Sequence, residues 1–249
     1  MSNACLIIIG NEVLSGRTQD LNLAFLGARL NEIGVRMAEA RVIADDTEII
    51  ISTLNECRAK YDYVFTTGGI GPTHDDITSA AVAKAFGLPL IRDPEAVALL
   101  RQHYANPEDI NDQRMKMCEV PEGAILVDNP ISKAPGYQIG NVFVLAGVPR
   151  IMQAMYEALK ERLTHGEPMK SRTIIAFMGE GGLAKGLGDV QGGHSEVEIG
   201  SYPFFRDGKL GTALVLRSAD QNALDEATKA VTNLVSGFDV EHFEETSAG

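Results

Sequence analysis

Apolar positions along this chain fall into two rhythms. CLIIIG (from Cys5), YVFTT (from Tyr63) and AILVD (from Ala124) are short runs apolar or β-branched at successive positions, read as buried strands. LNLAFLGARLNEIG, TEIIISTLNECRAKY, DDITSAAVAKAFG and VPRIMQAMYEALKERL instead repeat at helical spacing. The first of these helices is closed by Gly34 and the third by Gly87, and Thr47 reads as the N-cap of the second. Pro94 suits the first turn of a further helix, PEAVALLRQHYA. MAEARVIA is a strand, and YQIG and NVFVLAG are two more joined by a tight Gly-Asn turn. Strands alternating with helices of this length predict an α/β domain of three layers, with a mostly parallel sheet covered on both faces.

The order changes after THGEPMKS, Thr164 to Ser171, a polar stretch carrying Gly and Pro. A first domain over residues 1–166 is expected, then a small α+β domain over 171–245. That second domain reads strand (RTIIAFM), helix (EGGLAKGLGDVQ), strand (EVEIGSYPFF), strand (KLGTALVLR) and helix (ADQNALDEATKAVTNLV), with the two central strands joined at Asp207-Gly208. The tail EHFEETSAG, acidic and polar, is expected to fray.

At 249 residues, 45% apolar and 22% charged, the composition is that of an ordinary globular protein. A net charge of −12 argues against general binding to nucleic acid or a membrane surface, which calls for a basic footprint. It leaves room for a nucleotide, because a nest of amides or a bound metal neutralises phosphate locally. Cys5, Cys57 and Cys118 lack CxxC spacing, which fits a reducing compartment and gives neither a zinc site nor a disulfide framework. The start, MSNACLIIIGNEV, has no basic segment before its apolar run, and nothing approaches the ~20 apolar residues of a membrane-spanning helix. The expectation is a cytoplasmic protein.

The chemistry concentrates where strands end. VFTTGGIGPTHDDIT, Val64 to Thr78, runs from a strand through Gly68, Gly69 and Gly71 into a helix start. Glycine amides approach an anion closely there, and the helix N-terminus adds positive partial charge. Thr73 and Asp76 have capping-box spacing, which leaves another acid free for a metal or ligand. No Gly-Lys-Ser/Thr follows, so this is not a Walker A loop. A tight turn whose acids merely complement the helix dipole would read the same way. Two other loops follow strands: GNEVLSG, Gly10 to Gly16, places Asn11 and Glu12 at the same edge, and NPISKAPGY, Asn129 to Tyr137, brings another glycine with two prolines. In a doubly wound sheet such loops converge on one crevice.

GNEVLSG, TTGGIGPTHDDIT, NPISKAPGY and LAGVP, in this order, resemble the molybdopterin-binding domain of MoaB/Mog proteins, and most closely the competence/damage-inducible protein A (CinA) branch. The resemblance spans about residues 4 to 165, and residues 172 to 245 look like the KH-type domain that follows in CinA-like proteins. The nicotinamide-mononucleotide deamidase domain of longer relatives has no counterpart here, so that activity is not implied. What the resemblance implies is binding of a nucleotide or pterin phosphate, with molybdopterin as one ligand. In the CinA branch the domain is associated with metal-dependent hydrolysis of ADP-ribose to AMP and ribose 5-phosphate. A related domain in FAD synthases is associated with FAD hydrolysis. In the Mog branch it adenylylates molybdopterin, and a non-catalytic binding module is a third reading. By position, Gly68, Gly69, Gly71 and Thr73 would hold phosphate, joined by Asn129, Lys133, Pro135 and Gly136 of the NPISKAPGY loop. Asp76 falls on the functional acid, with Asp45 a second. Glu12, Asp75 and Asp76 would be ligands for Mg²⁺, Mn²⁺ or Co²⁺. Relatives of this fold commonly self-associate, so a homo-oligomer is expected. Asn11 and Ala146 depart from the family's usual residues.

Other signals carry less. Gly179 to Ala184 fits GxGxxA after a strand, but without doubly wound surroundings. His74 beside the acids could titrate or bind metal, but a first-turn histidine is more often merely exposed, and the histidines at 103, 165, 194 and 242 show no ligand spacing. Met115 and Met117 with Cys118 read as core or interface filler rather than a cofactor box. A KH-like unit suggests RNA, yet no GxxG loop with basic flanks stands where it would be needed, and the second domain reads as structural or dimerising.

Overall fold

A computed structural model describes residues 2–104, 106, 109–164, 166–206 and 208–245. The chain divides into two compact units, Met1–Gly166 and Glu167–Gly249. The expected turn residue Asp207, His165 and the last four residues of the tail lie outside the described residues.

The first unit runs β1 (Ser2–Ile9), α1 (Asn11–Leu14), α2 (Asn22–Glu32), β2 (Val35–Ile43), α3 (Thr47–Lys60), β3 (Tyr63–Thr67), α4 (Thr78–Phe86), β4 (Leu90–Arg92), α5 (Pro94–His103), α6 (Asp112–Met115), β5 (Glu119–Pro121), β6 (Ile125–Val127), β7 (Gly136–Ile139), β8 (Val142–Leu145) and α7 (Pro149–Leu159). Its sheet is ordered β2-β1-β3-β8-β7-β6; β2, β1, β3 and β8 run parallel, and β7 and β6 join antiparallel. The period of two along a strand explains why β1 is apolar throughout. Ala4, Leu6 and Ile8 point to one face, where Leu26 and Leu30 of α2 and Met152, Met155, Tyr156 and Leu159 of α7 cover them. Cys5, Ile7 and Ile9 point to the other, under Ile50, Leu54 and Cys57 of α3 and Ala81, Val82 and Ala85 of α4. These are the three layers of an α/β domain with a mostly parallel sheet. Each fully buried Leu or Ile stabilises it by about 1.5–3 kcal/mol over an exposed one.

Local chemistry sets the element ends. Asp46, not Thr47, caps α3: its Oδ1 accepts from the N–H groups of Glu48 and Ile49, and Thr47 is the first helical residue. A carboxylate reaches two orphan donors of the first turn at once, so the acid takes the cap. Asp93 caps α5 in the same way, with Pro94 at the first helical position. All three cysteines are buried; Cys5 Sγ lies 3.5 Å from Cys57 Sγ inside the parallel core, while Cys118 belongs to a small satellite cluster with Ala96 and Leu100. Burial pushes the Cys5 thiol up to about 12 and that of Cys118 to about 11.

The second unit runs β9 (Lys170–Ala176), α8 (Glu180–Gly193), β10 (Glu198–Arg206), β11 (Lys209–Ser218), α9 (Gln221–Ser236) and β12 (His242–Glu245). Its sheet, ordered β10-β11-β9-β12, is wholly antiparallel, and Ile174, Ala176, Leu214 and Leu216 meet Leu183, Leu224, Val231 and Val235 of the two helices. The described part of the tail, as far as Glu245, does not fray as its polarity suggests. His242–Glu245 pairs along β9, with Phe243 opposite Ile175, because main-chain hydrogen bonds to an open edge do not require an apolar sequence.

Candidate active site

Three loops meet at the carboxyl edge of the parallel strands. Leaving β3, Gly68 takes φ 104° and Gly69 φ 68°, a left-handed region that favours glycine. Space is as restrictive as conformation: a Cβ on Gly68 would run into the Ile9 carbonyl at the end of β1, and one on Gly69 into the Thr78 hydroxyl. One on Gly147, just past β8, would lie 3.2 Å from Gly68 Cα. The ends of β1, β3 and β8 therefore close on one another at backbone distance.

The turn is stitched to α4 rather than capped onto it. Thr78 Oγ1 donates to Gly68 O at 3.0 Å, and Thr78 N–H donates to Gly69 O at 3.0 Å. Helical geometry starts only at Thr78, with no side-chain cap, so Thr73 and Asp76 form no capping box for this helix. They close a turn of their own: Asp76 Oδ2 accepts from Thr73 N–H at 2.8 Å. Thr73 Oγ1 lies 2.5 Å from both Asp75 Oδ1 and Asp76 Oδ2, and its single proton satisfies one carboxylate at a time. The Thr73 hydroxyl, with a main-chain N–H, holds the Asp75 carboxyl below its ordinary range. Gly68 N–H donates to Leu145 O, but among the described residues the N–H groups of Gly69, Ile70 and Gly71 have no acceptor.

Two small cavities flank this turn. One, of about 30 Å³, is lined by Gly69, Gly71, Asp76, Lys116 and Glu119. Lys116 Nζ donates to Thr73 O at 2.8 Å, which brings a cation beside the free amides. Sequence reasoning missed it, because Lys116 sits within a Met/Cys segment that reads as filler. The other cavity, of about 40 Å³, is lined by Glu12, Asp20, Asn22, Thr67 and Gly147 among others. Glu12 thus faces a different cavity from Asp76, with the glycine turn between. Glu12 folds back over Gly10, whose Cβ position lies 2.5 Å from Oε1. Asp45 Oδ2 accepts from Asn11 N–H at 2.8 Å, tying the end of β2 to the loop that carries Glu12.

The loop after β6 is a structure in its own right. Asn129 is 1% exposed; its Oδ1 accepts from the N–H groups of Ile131 and Ser132, and its Nδ2 donates to Ser132 Oγ and Ala134 O. Lys133 takes φ 58°, Pro135 is buried, and Gly136 packs beneath Val144 O and Met155. Ala134 packs on the satellite cluster beside Met115 and Met117, the segment from which Lys116 reaches the glycine turn. His74 is almost fully exposed, 3.9 Å from Asp75.

Unbonded amides at a strand-to-helix junction, with carboxylates and a lysine beside them, lie at the carboxyl edge of a three-layer α/β domain, the edge at which such folds take small-molecule ligands. Residues 5–165 match the family described as the probable molybdopterin binding domain, and the chain belongs to that family. Residues 168–243 match the middle domain of FAD synthase. A CinA-like protein of Salinibacter ruber is 36% identical over 198 residues, covering 75% of this chain and 48% of that protein. A probable FAD synthase of Caenorhabditis briggsae is 30% identical over 259 residues, covering 94% of this chain and 50% of that protein. The chain thus spans about half the length of these two curated relatives. The crystal structure of the Thermoplasma acidophilum protein CinA, described as of unknown function, superposes with a TM-score of 0.61 at 35% identity, over 65% of this chain and 97% of that one. No helix among the described residues is long and apolar enough to cross a membrane.

Proposed function

We propose that the first unit is a metal-dependent hydrolase of ADP-ribose or a similar dinucleotide, cleaving the pyrophosphate to release AMP. The observation that carries this reading is the row of free N–H groups at Gly69, Ile70 and Gly71 with Asp76 and Lys116 beside it. Such a row suits two linked phosphates, and a pterin phosphate would use the same donors. The relative named as a probable FAD synthase favours the dinucleotide, since FAD joins AMP through a pyrophosphate.

A divalent metal, when bound, supplies charge neutralisation on the bridging oxygens and acidifies a water. The donors fit hard ions: Glu12 at one cavity and Asp76 at the other present carboxylate oxygen, although no group of three or more His, Cys, Asp or Glu stands ready as a cage among the described residues. Mg²⁺-type ions usually take one or two carboxylates and complete their shell with water and substrate phosphate. The amides of the turn orient the diphosphate, and Lys116 adds positive charge beside it. Asp76, fixed by Thr73, accepts the proton of the attacking water. Asp45 is a positioning residue acting through the Asn11 N–H. Molybdopterin adenylylation is the second reading, favoured by the family match and using the same phosphate donors.

The test is incubation with ADP-ribose or FAD, each with Mg²⁺, Mn²⁺ or Co²⁺ and with EDTA, followed by analysis for AMP. Metal-dependent AMP release, reduced about 10²-fold or more by Asp76→Asn at unchanged ligand affinity, is the expected result. No AMP under any metal, with both ligands still bound, overturns the hydrolase and leaves pterin chemistry or a binding module.

A further inference from the structure

Two polar side chains at the larger of the two cavities have unmet hydrogen-bonding capacity. Asn22, 2% exposed, spends its Nδ2 on Gly147 O at 2.9 Å, and its Oδ1 has no partner. Thr67, 1% exposed at the end of β3, leaves Oγ1 without one. Buried polar atoms in folded proteins are almost always satisfied, so orphans lining a common cavity call for an occupant. Both residues line the cavity that Glu12 and Asp20 also line. Asp20 spends Oδ1 on the N–H of Leu23 at 2.9 Å. Two carboxylates, the unpaired amide carbonyl and the unpaired hydroxyl stand in a wall completed by Thr18, Gln19 and apolar side chains such as Ile8, Val13 and Leu21.

The two carboxylates, with no Lys or Arg in the lining, select against anions. Size narrows the choice further. At about 40 Å³ the cavity has room for roughly three water-sized groups, taking about 10–15 Å³ each, and none for a pterin or adenine ring. A neutral water would satisfy Asn22 and Thr67 but not the neighbouring negative charge. We infer that the cavity lined by Glu12, Asp20, Asn22 and Thr67 is the seat of a partly hydrated divalent cation of the Mg²⁺ or Mn²⁺ class. The inference deepens the hydrolase reading, on which its purpose rests, by assigning the ion to the Glu12 side of the glycine turn. The free amides and Lys116 on the far side are left to the phosphates.

The test is Mn²⁺ binding to the intact protein without nucleotide, read from the electron paramagnetic resonance signal of free Mn²⁺. Thr67→Val, Asp20→Asn and Glu12→Gln are compared with Asp75→Asn, and AMP release is measured in parallel. Thr67→Val is the cleanest variant: it keeps the side-chain shape and removes a hydroxyl that supports no hydrogen bond, so its Tm should equal or exceed that of the parent. The expected result is one Mn²⁺ per chain, weakened about tenfold or more by each of the first three changes and within about twofold of the parent in Asp75→Asn. Absence of Mn²⁺ binding, or affinity lost in Asp75→Asn and retained in Thr67→Val and Asp20→Asn, overturns the assignment. The two readings fail separately. Mn²⁺ binding with this pattern but no AMP leaves the seat standing without the hydrolase. Metal-dependent AMP release that ignores all three cavity variants does the reverse.

Discussion

Gly68 shows how far a single residue constrains the site. Its φ of 104° and the Ile9 carbonyl beside it exclude any side chain, whereas Gly16, with φ 73°, has nothing within 4 Å of its Cβ position. Gly16→Ala should therefore cost about 1 kcal/mol from backbone conformation alone, and Gly68→Ala about 3 kcal/mol or more, since the β1 and β3 ends must part. Urea unfolding of both variants checks this; equal losses would mean that the close approach of the strands adds nothing. The glycines were legible in the sequence because strand, glycine turn and helix form one local pattern. Lys116 was not, because it reaches a residue 43 positions earlier, Thr73. Asn22 and Thr67 were silent for another reason: an unpaired oxygen leaves no trace in a residue string.

At the scale of elements, helix ends were the hardest to place. Thr47 and Asp46 are both good caps in isolation, and only the observed bonds from Glu48 and Ile49 choose between them. Asp46→Ala should destabilise the protein by about 1 kcal/mol and Thr47→Ala by a few tenths at most, measured by thermal unfolding. Reversal of that order would return the cap to Thr47. The alternation of strands and helices in the first unit was readable because each element carries its own period. The short β4–β5 pair was not: three residues on each side, Leu90 to Arg92 against Glu119 to Pro121, are too few to show one. β12 escaped for a related reason, since an edge strand is recruited by the neighbour's backbone rather than by its own residue types.

Over the whole molecule, the cores of the two units consist of different residues, Ala4 to Leu163 in the first and Ile174 to Val235 in the second. Residues 1–166 expressed alone should fold cooperatively and keep their affinity for ADP-ribose within about twofold, because every donor at the glycine turn lies inside them. A titration of the truncated chain decides it; lost binding in a folded fragment would make the second unit part of the site. The buried sulfurs have a further use. With Cys5, Cys57 and Cys118 buried and their thiols held protonated, a colourless disulfide reagent added to the native protein has nothing to attack until the chain opens. Each sulfur then keeps time for its own neighbourhood. Cys118, in the small cluster beneath the segment bearing Lys116, marks the loosening of that flank, while the adjacent pair from β1 and α3 stays dark until the parallel strands themselves come apart.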